Sequence, residues 1–426
     1  MQTPELYQKY LETGKVSTDT RQITPGSVFF ALKGPTFNGN KFADEALARG
    51  ASYAVVDEPK EASGSRYLVV DDVLSSLQDL ARHHRSQLKI PVIGLTGSNG
   101  KTTTKELVHA VLATKYRTYG TQGNLNNHIG VPVTILSINR SYEMAVIEMG
   151  ANHLGEIGFL CSIAQPSHGL ITNIGKAHIG TFGGLENIIR GKSELYQHLL
   201  NHDGTVFANS QDKVLFNMSS RFRNPILYPA KRDYYHCERK DEGHFLTLIA
   251  ENGDRIETQI TGSYNFENVA AALTIGKFFG VNPKKAHAAV AAYKPGNMRS
   301  QVIKKGTNRI ILDAYNANPS SMEAAIDSLS RMPESNKVAI LGDMFELDKE
   351  AEQEHARVGV ILSQKKIKEV YLCGPLMMSA KKFPQWRHFA NQDDLIAELK
   401  TRPLSNAVIL VKGSRGMAME KIVDYL

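Results

Sequence analysis

Cysteine is nearly missing from this chain: Cys161, Cys237 and Cys373 are the only three among 426 residues, they lie far apart, and no metal-like spacing joins them. That excludes a disulfide scaffold and fits buried thiols in a reducing cytoplasm. No stretch approaches the roughly 20 apolar residues that a membrane-spanning helix needs. The polar start, Met1–Tyr10, carries no apolar run behind a basic segment, so no signal peptide is expected. Lysine and arginine are scattered rather than gathered into a stripe, and there is one tryptophan, which speaks against a nucleic-acid surface. Internal repeats and low-complexity tracts are missing too. With 42% hydrophobic and 22% charged residues, the chain is not largely disordered. The expectation is a cytoplasmic protein with neither membrane nor nucleic acid as a partner. Its formal charge of +7 is modest for this length and favours phosphorylated small molecules.

A chain this long exceeds one ordinary core, so several domains are expected. From residue 90 onward, short apolar runs alternate with helical patterns. Ile90–Thr96, Met144–Glu148 and His168–Ile174 read as buried strands, and Lys101–Ala113 and Asn265–Phe279 as helices. A second series of strands follows at Arg309–Asp313, Val338–Gly342, Glu369–Cys373 and Ala407–Val411. Helices at Ser320–Ser330, Glu350–Leu362 and Gly416–Tyr425 separate them. Such alternation predicts parallel sheets covered on both faces. Pro and Gly meet within Tyr293–Asn297, which marks one boundary, and Pro91 marks another. The fold class is therefore α/β with three domains. These are a small N-terminal α/β domain over 1–88, a central phosphate-loop ATPase domain with a mainly parallel sheet over 89–296, and a C-terminal Rossmann-like α/β domain over 297–426.

The strongest chemical signal is Thr96-Gly97-Ser98-Asn99-Gly100-Lys101-Thr102-Thr103, which follows a strand and opens a helix. Glycines let backbone N–H groups converge on phosphates, and the helix start adds partial positive charge. Lys101 would reach the β- and γ-phosphates of ATP, and the Thr102 hydroxyl would ligate Mg²⁺. The general pattern wants a glycine at 95, where this chain has Leu95. Glu148 and His178 follow strands, where parallel sheets place ligands, and both are candidates for Mg²⁺. A solvated strand-end charge and a loop histidine fit them equally well.

Lys192, in Gly191-Lys192-Ser193-Glu194-Leu195, falls on a helix. Its alternatives are a solvated surface charge or a buried amine of lowered pKa able to take up CO₂ as a carbamate. Asn265 and Asn268 share one helical face and suit either an adenine edge or helix capping. Asp313 and Asp343 each end a strand before a turn, a place for a ribose or a metal and also for a cap. In Val411-Lys412-Gly413-Ser414-Arg415-Gly416, two cations could grip a carboxylate at a helix start.

Together these segments resemble the Mur ligase family, the ATP-dependent amide-forming enzymes of peptidoglycan precursor synthesis. Shared family motifs are TGSNGKTT, the glutamate of IEMGA, the histidine of TNIGKAH, GKSEL and the asparagines of SYNFENVAAA. GNLNNHIGVP, DAYNANPSSM, LGDMFEL and VKGSRGMAME resemble the branch that adds D-alanyl-D-alanine rather than lysine, diaminopimelate or glutamate. The family's loop lacks the earlier glycine, which accounts for Leu95. The resemblance implies ATP and Mg²⁺, with Lys101 and Thr102 on phosphates and metal, Glu148 and His178 on the metal, and Lys192 carbamylated. It implies Asn265 and Asn268 at adenine, and Arg299 and Asp313 gripping phosphate and ribose. Ser17, Thr18, Asp19, Thr20 and Arg21 would receive the uridine diphosphate end of UDP-N-acetylmuramoyl-tripeptide. Asn124, Asn126 and Asn127, with Asn316, Asp343 and Arg415, would serve the tripeptide and D-Ala-D-Ala. A monomer is expected.

Overall fold

The computed structural model describes residues 1–58, 64–240 and 243–426. It has three α/β domains in the order expected. The first carries a parallel sheet ordered Val16–Ser17, Val28–Phe30, Tyr53–Val56, Tyr67–Val69. The second is a six-stranded, all-parallel sheet ordered Ile226–Tyr228, Thr205–Asn209, His168–Ile171, Val92–Thr96, Met144–Glu148, Thr118–Gly120. Its middle strands are largely apolar because helices cover both faces: Ile93, Leu95, Val146 and Ile147 are fully buried. The third sheet is also mainly parallel, with Gln301–Lys305 running antiparallel to Asn308–Asp313 at one edge. That hairpin, and a three-stranded antiparallel sheet over Cys237–Lys240, Thr247–Ala250 and Arg255–Glu257, were not expected from the sequence.

One expected element fails. Gly416–Tyr425 is not an α-helix but two 3₁₀ segments, Arg415–Met417 and Met419–Tyr425, broken at Ala418 with φ of 46°. The break turns Met419 inward over bare backbone, where it is fully buried. A Cβ on Gly413 would lie 2.8 Å from Met419 Cγ.

The two seams between domains differ in kind. The helix Val73–Gln87, capped by Asp72, presents Leu77, Leu80 and Ala81 to the helices Gly130–Leu136 and Glu156–Ala164 of the central domain. Its last turn is bolted across the seam by the buried Arg85. Nε donates to Ala164 O at 2.8 Å, Nη2 to Gln165 O at 2.9 Å, and Nη1 to Leu88 O at 2.8 Å. Arg85→Ala leaves three carbonyls without that donor. It is expected to lower unfolding free energy by about 3 kcal/mol, seen as a lower urea midpoint at unchanged slope. The third domain instead hangs on Gly296–Ser300, where three side-chain-bearing residues take left-handed backbone: Asn297 (φ 53°), Met298 (57°) and Ser300 (51°).

Candidate active site

Register levels three strand ends at one edge of the central sheet. Leu95 pairs with Glu148 and Thr96 with Ile171, and the chain leaves Val92–Thr96 first to one side and later to the other. A crevice opens at such a switch point. The loop Gly97–Gly100 rises there because two glycines allow it. Gly97 has φ of 146°, and a Cβ on it would meet Thr172 Oγ1 at 1.9 Å. At Gly100 (φ 78°) a Cβ would meet Asn268 Oδ1 at 2.6 Å. The neighbouring segment 172–175 pins the loop. Asn99 N donates to Asn173 Oδ1 at 3.0 Å, Thr172 Oγ1 donates to Asn99 O at 2.6 Å, and Ser98 N donates to Asn173 O at 3.0 Å.

The loop forms one wall of a cavity of about 1030 Å³, walled by both the central and the C-terminal domain. Ser98, Asn99, Gly100, Lys101, Thr102 and Thr103 line it, while Thr96 and Gly97 support it from beneath. Lys101 Nζ folds onto Gly97 O at 2.8 Å and Ser98 O at 3.3 Å. Burial holds its pKa below the usual lysine value. Glu148 pulls it up, and Arg299 pushes it down further. Glu148 is buried, and its Oε1 accepts from Thr102 Oγ1 (3.2 Å) and from Asn126 Nδ2 (2.8 Å). Its other oxygen, Oε2, is buried with no partner. An orphaned carboxylate oxygen beside a hydroxyl suits a hard cation, so Thr102 and Glu148 fit Mg²⁺. Among the described residues no three His, Cys, Asp or Glu side chains converge into a metal cage. The rest of such an ion's shell would be phosphate oxygens and water.

Lys192 is no solvated surface charge: its side chain is 1% exposed, with Nζ 3.3 Å from Ala151 O and over the Phe182 ring. Desolvation brings its pKa down to about 7, Lys101 adds to the fall, and Glu156 and Glu194 oppose it. Asn265 and Asn268 are not capping side chains either. Asn268 Nδ2 donates to Asn265 Oδ1, Thr104 Oγ1 donates to Asn268 Oδ1, and both asparagines line the cavity.

Across the cavity Arg299 stacks on the Tyr315 ring, with its guanidinium carbon 3.6 Å from the ring centroid and Nε buried without a partner. Asp313 lines the cavity, accepts from Ser300 N at 3.0 Å and pairs with the buried Lys412 at 2.6 Å. Lys412 thus grips the carboxylate of Asp313 and also lines the cavity, although the segment that follows is a 3₁₀ turn and not the α-helix start expected. Arg415 lines the cavity and pairs with Glu420 at 2.8 Å, and Asn124, Asn126, Asn127 and Asn316 line it too. Asp343 does not reach the cavity. Its carboxylate accepts from Met377 N (2.9 Å) and Leu376 N (3.3 Å), closing a local turn. Ser17, Thr18, Asp19, Thr20 and Arg21 lie outside this cavity. Asp19 caps the 3₁₀ turn Thr20–Gln22 and pairs with Arg21 at 2.6 Å.

Several cross-domain contacts were not anticipated. Asn318 Nδ2 donates to Asn99 Oδ1 at 2.8 Å, Lys176 N to Ser320 Oγ at 2.9 Å, and Tyr264 and Ser300 share a hydroxyl contact of 2.7 Å. Lys176 also pairs with the buried Glu354, and His178 Nδ1 lies 2.5 Å from Glu346 Oε2. The C-terminal domain is thus docked on the loop Gly97–Gly100.

Three family models match: Mur ligase family, catalytic domain, over 13–91; Mur ligase middle domain over 95–276; and Mur ligase, glutamate ligase domain, over 298–415. The UDP-N-acetylmuramoyl-tripeptide–D-alanyl-D-alanine ligase of Bacillus subtilis (strain 168) is 37% identical, with 96% of this chain and 92% of that one covered. The ligase of the same name from Escherichia coli (strain K12) is 35% identical over 96% and 93%. Among solved structures, MurF from Acinetobacter baumannii superposes with a TM-score of 0.87 at 30% identity, covering 99% and 97%. MurF from Thermotoga maritima in complex with ADP gives 0.85 at 28%, covering 97% of each chain. A Mycobacterium tuberculosis folylpolyglutamate synthase is similar at 16% identity and TM-score 0.63, a likeness of fold alone.

Proposed function

Because this chain belongs to the Mur ligase family, we propose that it joins D-alanyl-D-alanine to UDP-N-acetylmuramoyl-tripeptide at the expense of ATP, a step of peptidoglycan precursor synthesis. The observation that carries this reading is a single cavity in which the phosphate loop of one domain faces Arg299 and Asp313 of another. A carboxylate oxygen of the tripeptide attacks the γ-phosphorus, ADP leaves, and an acyl phosphate forms. The dipeptide amine then adds to the acyl carbon. The tetrahedral intermediate expels phosphate, and the nitrogen loses a proton to leave the amide.

Several anions crowd together in this sequence, and Lys101 and Arg299 screen them from opposite walls. Mg²⁺, held by Thr102 and Glu148 with His178 nearby, would supply further charge neutralisation at the phosphates. Asn265 and Asn268 would read adenine, Asp313 the ribose, and Asn124, Asn126, Asn127, Asn316 and Arg415 the peptide groups. Ser17–Arg21, outside this cavity, would hold the uridine diphosphate, so that the substrate spans two domains. Lys192 would act as a carbamate, an anion set against the nearby cation Lys101. The third domain, which walls one side of the cavity, would keep water from the acyl phosphate by closing over it. Among the described residues no helix is long and apolar enough to cross a membrane. The reading places the enzyme in the cytoplasm, as a monomer.

The test is phosphate release from ATP with the two substrates supplied singly and together. Release is expected only with both, alongside a product heavier by one dipeptide. No release with both present, in protein that still binds ADP, would assign the chain to another acceptor.

A further inference from the structure

Arg299 reaches the cavity from between two left-handed residues, Met298 (φ 57°) and Ser300 (φ 51°), in the segment that hangs the third domain on the second. Side-chain-bearing residues rarely adopt that backbone, and it persists where neighbours over-determine it. Most of the neighbours here are local. Arg299 N donates to Gly296 O at 3.1 Å, Tyr315 N to Met298 O at 3.2 Å, and Ser300 N to Asp313 Oδ1 at 3.0 Å. These partners lie in the segment or in the third domain and would travel with that domain. Tyr264 is different, because it belongs to the central domain: its hydroxyl lies 2.7 Å from Ser300 Oγ. Its own seat is tight. It sits in the 3₁₀ turn Ser263–Asn265, with its ring on the bare backbone of Gly262, where a Cβ would come within 2.5 Å of Cε1. The next residue, Asn265, is tied down by its Nδ2, which donates to Thr261 O at 2.8 Å. Burial, with the charge of Asp313 near it, pushes the Tyr264 phenol above its ordinary value, so it acts as a neutral hydroxyl.

We propose that Tyr264 is a positioning residue for the nucleotide: its hydroxyl fixes Ser300, and through Ser300 the places of Arg299 and Asp313 against the phosphates and the ribose. All four residues line the one cavity, and Asn265 lines it beside Tyr264. One turn of the central domain thus carries the adenine side and also holds the joint from which the opposite wall hangs. Without the hydroxyl, Asp313 keeps Lys412 as its partner and its strand keeps its register, so the third domain stays folded. What it loses is a fixed distance from the adenine side.

The kinetic arm of the test rests on the ligase reading; the binding arm needs only a nucleotide in the cavity. Tyr264→Phe removes one oxygen and keeps the ring, and full-length variant protein should melt with the parent. In calorimetry it is expected to bind ADP about 3- to 10-fold more weakly, the scale of one neutral hydrogen bond. Ser300→Ala should match it, and the double variant should bind no more weakly than either single one. An ADP analogue lacking both ribose hydroxyls should bind the parent about 10-fold more weakly than ADP, since a charged partner is lost, and Tyr264→Phe should narrow that gap. A hydroxyl that served stability alone would leave the gap as it was. In turnover with both substrates, kcat should fall about 10-fold as Arg299 shifts, KM for ATP should rise, and KM for the dipeptide should hold. Parent-like ADP affinity in Tyr264→Phe overturns the proposal, as does an unchanged ribose gap, an unchanged kcat or additive losses in the double variant. If the unsubstituted protein binds ADP but releases no phosphate, the ligase reading fails, and the binding measurements alone decide the role of Tyr264.

Discussion

Lys101→Met lowers kcat for amide formation by about 1000-fold, the upper end of what one missing electrostatic contact costs in a water-excluded site. The upper end applies because a full charge is lost where burial already disfavours it and where Arg299 is the facing cation. Nothing replaces it: Lys101 Nζ is held by the carbonyls of Gly97 and Ser98, a socket built for a compact ammonium. A guanidinium is wider and planar, so Lys101→Arg is expected to remain inactive. The loss is not one of stability. A lysine whose folded pKa lies below its unfolded value is a charge the fold holds at a cost, and that cost is fully present below the folded pKa. Lys101→Met should therefore melt no earlier than the parent. Phosphate-release kinetics beside a thermal melt check both statements, and a normal kcat in Lys101→Met would remove the phosphate loop from the mechanism.

The second large effect belongs to Lys192. With its pKa brought down to about 7, its neutral amine becomes abundant as pH rises through neutrality. The neutral form can add CO₂, giving a carbamate and releasing one proton. The change also reverses an unfavourable interaction, because Lys101 repels the ammonium and attracts the carbamate. Lys192→Met keeps the shape of the buried side chain and removes the nitrogen, and kcat is expected to fall by about 100-fold. Protein freed of CO₂ below pH 7 should lose activity and regain it with bicarbonate at higher pH, while the Met variant ignores both treatments. Labelled ¹³C-bicarbonate should give a carbamate carbon signal in the parent alone. Stability follows the same sign. The cost of burying the ammonium is full below about pH 7 and is relieved as pH climbs toward the ordinary lysine value of 10.5. A parent enzyme indifferent to CO₂ would show that Lys192 works as an amine.

The buried strands were legible because a strand covered on both faces reads as an uninterrupted apolar run, as Met144–Ile147 does. The helix beside them also held a signal that names Lys192 as buried. Ile188, Lys192, Leu195, Tyr196 and Leu199 follow helical spacing on one face, so the lysine sits within the apolar stripe. Asp343 shows the opposite limit. It ends its strand as Asp313 does, but Gly374, with φ of 108°, returns the chain so that Leu376 and Met377 point their N–H groups at its carboxylate. Nothing within Leu341–Leu347 announces that return. The contacts of Asn99 with Asn318 and of His178 with Glu346 were unreadable for a related reason. Each joins segments more than 160 residues apart (219 for the asparagines), and only domain docking makes them neighbours.

The difference between the two seams sets how this protein tolerates being divided. Helix 73–87 lies with its apolar face on the central domain and is clamped there by Arg85, so a cut near residue 88 would strip a continuous core and expose Leu77, Leu80 and Ala81 to water. The third domain rests on its neighbour through polar contacts such as Asn318 to Asn99 and Lys176 to Ser320, beside an apolar cluster that the two domains share. A break near Gly296 would yield two fragments that each keep a covered sheet and can find each other again by charge and hydrogen bonding. Of the two joints, only the second is a natural place to graft, swap or tether.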